Sequence, residues 1–594
     1  MSYRRKKLLA LFFAMALSMT AVAGCTGIKS STGNVVSSET ETNAEETSAQ
    51  SEAGTFSSAD MFTERDLAGT YEESGAVYVT LSDDGIAGET DGVVIDGQMV
   101  TITAEGTYIF SGTLSEGQIV VDADNAKVQI VFDNVDITCA SSAAVYVKSA
   151  EKVFVTLAEG SQNTLRNTDE YVAIDDNNID AVIFAKSDLT LNGTGSLTII
   201  SAEGHGIVSK DDLKIIGGTY DITAAGHALS GKDSVRIADG TFILTAEKDG
   251  IHAENADDEE KGYIYIADGD FTITSDGDGM DVSNIVQIED GTLDITAGGG
   301  SANSLKTHES DVPGGPGGGM PQNGEKLDGE SMPQMGEKPD GENMPQDTTT
   351  DESGTSTKGI KAGGGMYLNG GTYQIDSADD SIHSNANITI ADGTYTLATG
   401  DDGVHADDAL IVNGGTITVT ESYEGLEGLA VTINDGTIDI TASDDGINTA
   451  GEKMELNGGY IHILAGGDGV DSNGDLTING GEIYIDGPSD NGNSAIDYGD
   501  RSSAYVNGGT LVAIGSSGMA EVMSDSSKQK VLMVKLGEQM EAGNVVLTDS
   551  EGNVIVSYTA LKTYDCVIIS TAEVESGATY TLTTSGTTTE VTAE

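Results

Sequence analysis

Acidic residues recur at one point of a repeated motif. Residues 401–420 read D-D-G-V-H-A-D-D-A-L-I-V-N-G-G-T-I-T-V-T, and near-copies are found along the chain. The residue before each glycine–apolar step, or its substitute, is Asp249, Asp278, Asp380, Asp402, Glu424, Asp445 and Asp468, with Asp379, Asp401 and Asp444 adjoining. Two residues beyond the glycine position runs a second series: His252, Asp281, Lys306, Lys361, His383, His405, Glu427, Asn448, Asp471, Asp497. If the copies stack at strand spacing, neighbouring carboxylates repel by about 3.5 kcal/mol at an effective dielectric near 20, and by about 1 kcal/mol in bulk water. A divalent cation removes that repulsion. Calcium suits the site because it accepts about six to eight hard oxygens in flexible geometry. S-D-G-D-G-M-D at 275–281 and G-G-D-G-V-D at 466–471 each place two carboxylates around a turn, although neither is an EF-hand. The expected metal ligands are Asp278, Asp281, Asp380, Asp401, Asp402, Asp444, Asp445, Asp468 and Asp471. The competing reading is a solvated acidic edge that resists strand pairing. Zinc requires tighter clustering than the sequence spacing of the histidines offers, so they are read as surface groups.

The elements that position these residues follow from the repeat. The apolar member of the glycine–apolar step falls at Ile207, Leu229, Ile251, Met280, Leu305, Ile360, Ile382, Val404, Leu426, Ile447, Val470 and Ile496. A glycine turn, G-G-T or D-G-T, recurs with its second glycine at Gly218, Gly240, Gly269, Gly291, Gly371, Gly393, Gly415, Gly436, Gly459, Gly481 and Gly509. Apolar residues alternate on both sides of the turn, as in Leu410/Val412 and Ile417/Val419, which is the period of a strand with one buried face. Each unit therefore holds three short strands and buries its apolar face only by stacking on the next. The predicted fold is all-β, a right-handed parallel β-helix of about 22 residues per rung over 76–527. The sequence leaves open whether the Leu305 and Ile360 segments are separate rungs or edges of one interrupted rung. A small β module is expected over 528–594, closing the last rung. Residues 307–358 carry Gly, Pro and Met in a low-complexity pattern and read as a flexible insertion. Its methionines are taken as incidental rather than as soft Cu(I) ligands.

Composition narrows the partners. A formal net charge of −69, from 97 acidic against 28 basic residues, argues against nucleic acid and against direct electrostatic binding to anionic lipid. R-R-K-K at 4–7, an apolar run at 8–17 and V-A-G-C at 22–25 match a bacterial lipoprotein signal over residues 1–24, with Cys25 acylated. Residues 25–75 read as a disordered tether. The expected location is the outer face of a bacterial cell membrane, held through the lipid anchor alone, as a monomer. Cys139 and Cys566 are expected to be buried free thiols.

This combination resembles a known family. The lipobox, the rungs around G-T-Y-I-F-S-G-T-L-S-E-G-Q-I-V-V-D, the D-G-I-H and N-G-G-T repeats and the Gly/Pro/Met insertion are similar to those of the "carbohydrate-binding domain" β-helix proteins of bacterial surfaces. The resemblance covers about 76–594. It implies a fold like that of polysaccharide lyases, calcium as cofactor, and binding of acidic polysaccharide, such as polygalacturonate, or of cellulosic polysaccharide; the expectation adopted is binding without cleavage. A polyuronate is itself anionic, so bridging calcium or local cations would have to hold it. A neutral glycan would stack on exposed rings. Tyr423 and Tyr498 fall at outward or corner positions and, with His383 and His405, are the expected sugar contacts. Two alternatives remain. One is a calcium-dependent pectate-type lyase, for which Lys306 or Lys361 would be the base, although neighbouring carboxylates would raise a lysine pKa. The other is an envelope spacer without a ligand.

Overall fold

The computed structural model describes residues 56–88, 92–172, 177–306, 356–451, 453–499 and 501–593. The signal segment, Cys25 and residues 307–355 of the insertion lie outside them. Among the described residues no helix is long and apolar enough to cross a membrane.

The chain is all-β, dominated by one long, parallel-rich sheet system. Over most of its length each strand pairs in parallel with the strand three places on, as expected of a solenoid. Paired residues are one motif apart: Ile360 lies beside Ile382, Ile382 beside Val404, Val404 beside Leu426, Leu426 beside Ile447 and Ile447 beside Val470. All of these side chains are buried. A second inward column joins Tyr220, Phe242, Phe271, Leu293, Tyr373, Tyr395 and Ile417. Its rings stack, with centroids 4.6 Å apart for Phe242–Phe271 and 4.5 Å for Tyr373–Tyr395. Buried tyrosine is tolerated because each hydroxyl finds a carbonyl three residues back. Tyr373 donates to the Gly370 oxygen at 2.8 Å, and Tyr395 to that of Asp392 at 2.9 Å.

The glycine turn has a steric cause. Gly415, Gly436 and Gly459 have φ of 89°, 123° and 82°, and a Cβ on Gly459 would lie 2.6 Å from the Gly436 oxygen. Beside it runs an amide ladder in which Asn434, Asn457, Asn479 and Asn507 each donate to the preceding asparagine at 2.8–2.9 Å.

The structure settles the open register. Met280 pairs with Ile360 and Asp281 with Lys361, so Leu305 is not a member of the column. Leu305 is 73% exposed, just past a short 3-10 turn at Ser301–Asn303. A second correction concerns residues 56–75, read with the disordered tether. They include two short helices, Ser58–Met61 and Glu64–Leu67, the second opened by a Thr63/Asp66 capping box. The Phe56 ring packs tilted against that of Tyr263, Met61 is buried, and Asp66 pairs with Lys152 at 2.6 Å. Aromatic residues and a capping motif at the end of a polar stretch give this segment enough to bury.

Tyr564–Ser570 pairs antiparallel with Thr510–Gly515 and with Leu532–Met540, and Gly543–Thr548, Val554–Ala560, Thr579–Thr584 and Thr587–Thr592 form a separate antiparallel sheet. Cys139 and Cys566 are buried and free.

Candidate cation site

Both predicted charged series form columns along one edge of the stack. The outward series is continuous through strand pairing, from His252 through Asp281, Lys361, His383, His405, Glu427, Asn448 and Asp471 to Asp497. Lys306 is absent from it, because its segment leaves the sheet.

The inner column has a structural function that the sequence did not disclose. The side chain of one rung accepts the backbone N–H of the next. Asp278 N–H donates to Asp249 Oδ1 at 3.0 Å, Lys358 N–H to Asp278 Oδ1 at 2.6 Å, and Asp402 N–H to Asp380 Oδ1 at 3.1 Å. Glu424 N–H donates to Asp402 Oδ1 at 3.3 Å and Asp468 N–H to Asp445 Oδ1 at 2.6 Å, while Ser494 N–H donates to Asp468 Oδ1. Histidine begins the series, since His227 N–H donates to His205 Nδ1 at 2.8 Å. One carboxylate oxygen is thus committed to the backbone and the other faces the outward column.

Much of the negative charge is neutralised by lysine. Lys358 occupies the inner column between Asp278 and Asp380, and its Nζ lies 2.9 Å from Asp379 and 2.5 Å from Asp380. Lys306 Nζ lies 2.7 Å from Asp379 and contacts Asp401. Lys361 Nζ lies 3.3 Å from Asp281 and 3.6 Å from Asp278. Burial alone would lower these lysine pKa values, but the carboxylates around each of the three overcome it and hold the pKa above its ordinary value. At Asp278, Asp281, Asp380 and Asp401, four of the expected metal ligands, an ammonium therefore stands where calcium was expected. Lys358 was missed, although K-G-I at 358–360 repeats the D-G-V step.

His383 Nδ1 lies 2.8 Å from Asp380 Oδ2. His405 Nδ1 lies 3.1 Å from Asp402 Oδ2 and 3.4 Å from Glu427 Oε2. Burial would lower the His405 pKa, but Asp402 and Asp380 raise it to about 10. Tyr423 is half-buried in the file of adjoining residues: its N–H donates to the Asp401 oxygen and its own oxygen accepts from Asp444 N–H. Tyr498, read at an outward or corner position, is half-buried. It pairs with buried Ser472, packs against the core, and donates its hydroxyl to the Val522 oxygen at 2.7 Å.

One cluster differs. Ligand oxygens of Asp445, Asp468 and Asp471 lie within 4.8 Å of one another. Among the described residues no lysine, arginine or histidine forms an ion pair with any of them. Burial, then Asp444 and Asp468, push Asp445 up to about 8. Burial, with Asp497 and Asp471 beyond it, pushes Asp468 up to about 7. Burial and Asp497 push Asp471 up to about 6. Gly467 keeps the space open, because a Cβ there would collide with Asp444 Oδ1 and Asp445 Oδ1. Hard oxygens at this separation around a side-chain-free position fit a calcium ion.

A family model described as "Carbohydrate-binding domain-containing protein" matches residues 96–403 and 400–575. A relative of the same description from Acetivibrio thermocellus is 40% identical over 139 residues, 23% of this chain and 49% of the relative. The chain thus spans about half the length of that curated relative. A solved structure described as a polysaccharide lyase-like protein from C. thermocellum, as a gadolinium derivative, is 36% identical. That match covers 38% of this chain and 92% of the other, with a TM-score of 0.37.

Proposed function

This chain belongs to the carbohydrate-binding domain-containing protein family, and from that membership we propose that it binds polysaccharide through calcium, without cleaving it, at the outer face of a bacterial cell membrane. In this reading the all-β stack is a right-handed parallel β-helix of about 22 residues per rung, anchored by lipid on Cys25. The observation that carries the proposal is the uncompensated cluster of Asp445, Asp468 and Asp471. Bound calcium would be held by these three, with Asp444 adjoining, and would supply positive charge toward an acidic glycan. Tyr423 lies one rung before Asp444 and carries a half-buried ring.

Binding rather than elimination is supported by the lysines. A lysine must be in its neutral form to abstract a proton, and Lys306 and Lys361 are both held in the charged form by adjacent carboxylates. The test is a pull-down on insoluble polygalacturonate and on cellulose, with calcium or with chelator. Retention in calcium that is lost in chelator, and lost in the Asp445→Asn/Asp468→Asn double variant, is the expected result. Retention that ignores chelator defeats the calcium bridge. Ultraviolet absorbance from unsaturated uronide in the same incubation would establish a lyase instead.

A further inference from the structure

The column that follows the turn glycines changes character near its end. It runs through Thr372, Thr394, Thr416 and Thr437, short side chains that leave the sheet surface low. Its next member is Tyr460, paired with Thr437, and after that come Glu482 and Thr510. Tyr460 raises a ring above the surface and is 41% exposed. It stands at the opposite end of strand Tyr460–Ala465 from the acidic edge. A second ring joins it from the next rung. Tyr484 shares the outward face of Glu482, because side chains two apart lie on one side of a strand. The Tyr460 and Tyr484 centroids are 5.7 Å apart with the rings tilted at 44°, and Tyr484 stacks on Tyr558 of the C-terminal module at 5.2 Å and 10°.

The inner end of this aromatic row is fixed. Tyr558 donates its hydroxyl to Asp486 Oδ2, and Leu561 N–H donates to Asp486 Oδ1 at 2.8 Å. Asp486 is buried, so this carboxylate ties the module to the last coils. Beside the rings runs a groove lined by Gly436, Gly459, Gly481 and Gly509, which carry no side chain to fill it. Across these four rungs it extends about 14 Å at strand spacing. At Glu482, Gly509 and Thr510 it meets a recess of about 430 Å³, whose other wall is residues 555–557 and 571–573 of the module. The polar groups along it are chiefly oxygens, among them the carboxylates of Asp435, Glu482 and Glu573. Among the described residues no basic side chain forms an ion pair with any of these three.

We propose that this groove binds a single chain of a neutral, β-linked hexose glycan, without calcium, at a site separate from Asp445, Asp468 and Asp471. An equatorially substituted sugar ring turns C–H groups to its faces and hydroxyls to its rim. The faces stack on an exposed ring such as Tyr460, and the rim hydroxyls donate to carboxylate oxygens in charge-assisted hydrogen bonds. A uronate brings its own negative charge to Asp435, Glu482 and Glu573 and is repelled, so the two sites divide glycans by charge. A platform already held by the Tyr484–Tyr558 stack loses little freedom on binding. The wall formed by the module admits one chain and keeps out the packed chains of an insoluble fibre. Retention on insoluble cellulose therefore still reports on the calcium cluster. The inference rests on the reading that this protein binds polysaccharide, and not on the calcium bridge.

The test is isothermal titration of the full chain, in chelator, with soluble cellohexaose and with trigalacturonate. The expected result is binding of cellohexaose and none of trigalacturonate. Tyr460→Thr installs the residue that the preceding rung carries at this place, and should weaken cellohexaose at least about tenfold through loss of the stacked ring. Tyr460→Phe should keep the affinity, since the ring and not its hydroxyl is the platform. No cellohexaose binding in chelator, equal affinity in Tyr460→Thr, or equal affinity for trigalacturonate overturns the proposal. So does a concentration-dependent dimer that Tyr460→Thr abolishes, because a second copy would then be the occupant. Should Tyr460→Thr fail to fold, the ring-proton shifts of Tyr460 in the unmodified chain decide: movement on adding cellohexaose supports the site, and none refutes it. Polygalacturonate retention that ignores chelator would sink the calcium bridge and leave this titration unaffected.

Discussion

At Asp445, Asp468 and Asp471 the protein keeps negative charge that no basic side chain among the described residues offsets. Their pKa values stand near 8, 7 and 6 against an ordinary 3.8. A carboxyl whose folded-state pKa is raised contributes stability that is fully present below the unfolded value, about pH 4, and lost as pH climbs through the folded one. Calcium-free protein is therefore expected to lose Tm steadily between about pH 5 and pH 8. Saturating calcium, which binds the ionised form, should flatten that decline. Differential scanning calorimetry across this range, with and without chelator, checks both statements, and a flat profile in chelator would contradict the assigned electrostatics. Asp471→Asn should weaken calcium binding at least about tenfold, read by isothermal titration, because it removes a charged oxygen from the ion. The same substitution should raise the calcium-free Tm at pH 8 by relieving repulsion. A purely solvated edge would show neither effect.

The strands were legible because their period is simple. Alternation around Gly415 marks Leu410, Val412, Ile417 and Val419 as inward, and all four are buried. The outward series was legible for the same reason, since side chains two apart share a face. What could not be read was each side chain's hydrogen-bond partner. Asp402 appears in sequence as a charge awaiting a cation, whereas in the structure half of it caps the amide of Glu424. Lys358 is hidden in the sequence because a basic residue takes a place that the other copies of the motif give to an acidic one. Tyr498 reads at an outward or corner position, and its alternation alone does not show that pairing with Ser472 leaves it half-buried against the core. Two substitutions test the elements themselves. Ile447→Ala leaves a cavity inside the apolar column and should cost about 2–5 kcal/mol in denaturant unfolding. Gly459→Ala introduces a Cβ 2.6 Å from the Gly436 oxygen at φ 82°, and should cost more than about 1 kcal/mol. A neutral result at either position would break the packing account.

Over the whole chain, the parallel pairing passes from Met280 directly to Ile360. Lys306 and Lys358 both reach Asp379, so the two ends of the intervening stretch are held to one carboxylate. Replacing residues 307–355 by a short Gly/Ser linker should therefore leave thermal stability nearly unchanged, because loop length enters closure entropy only logarithmically, at about 0.6 kcal/mol per doubling. A collapse of the circular dichroism melt on this replacement would show that the stretch supports the stack. The amide latch has a further consequence. Several coils present the same acceptor to their successor, and Asp402 both takes it from Asp380 and passes it on to Glu424. An in-frame duplication of residues 380–401 would hand one such socket to another, with the copied Asp380 following Asp401 where Asp402 stands now. Gene-level copying of a single module can thus lengthen this protein while leaving every neighbouring contact of the same kind, and each added copy brings another acidic group to the edge.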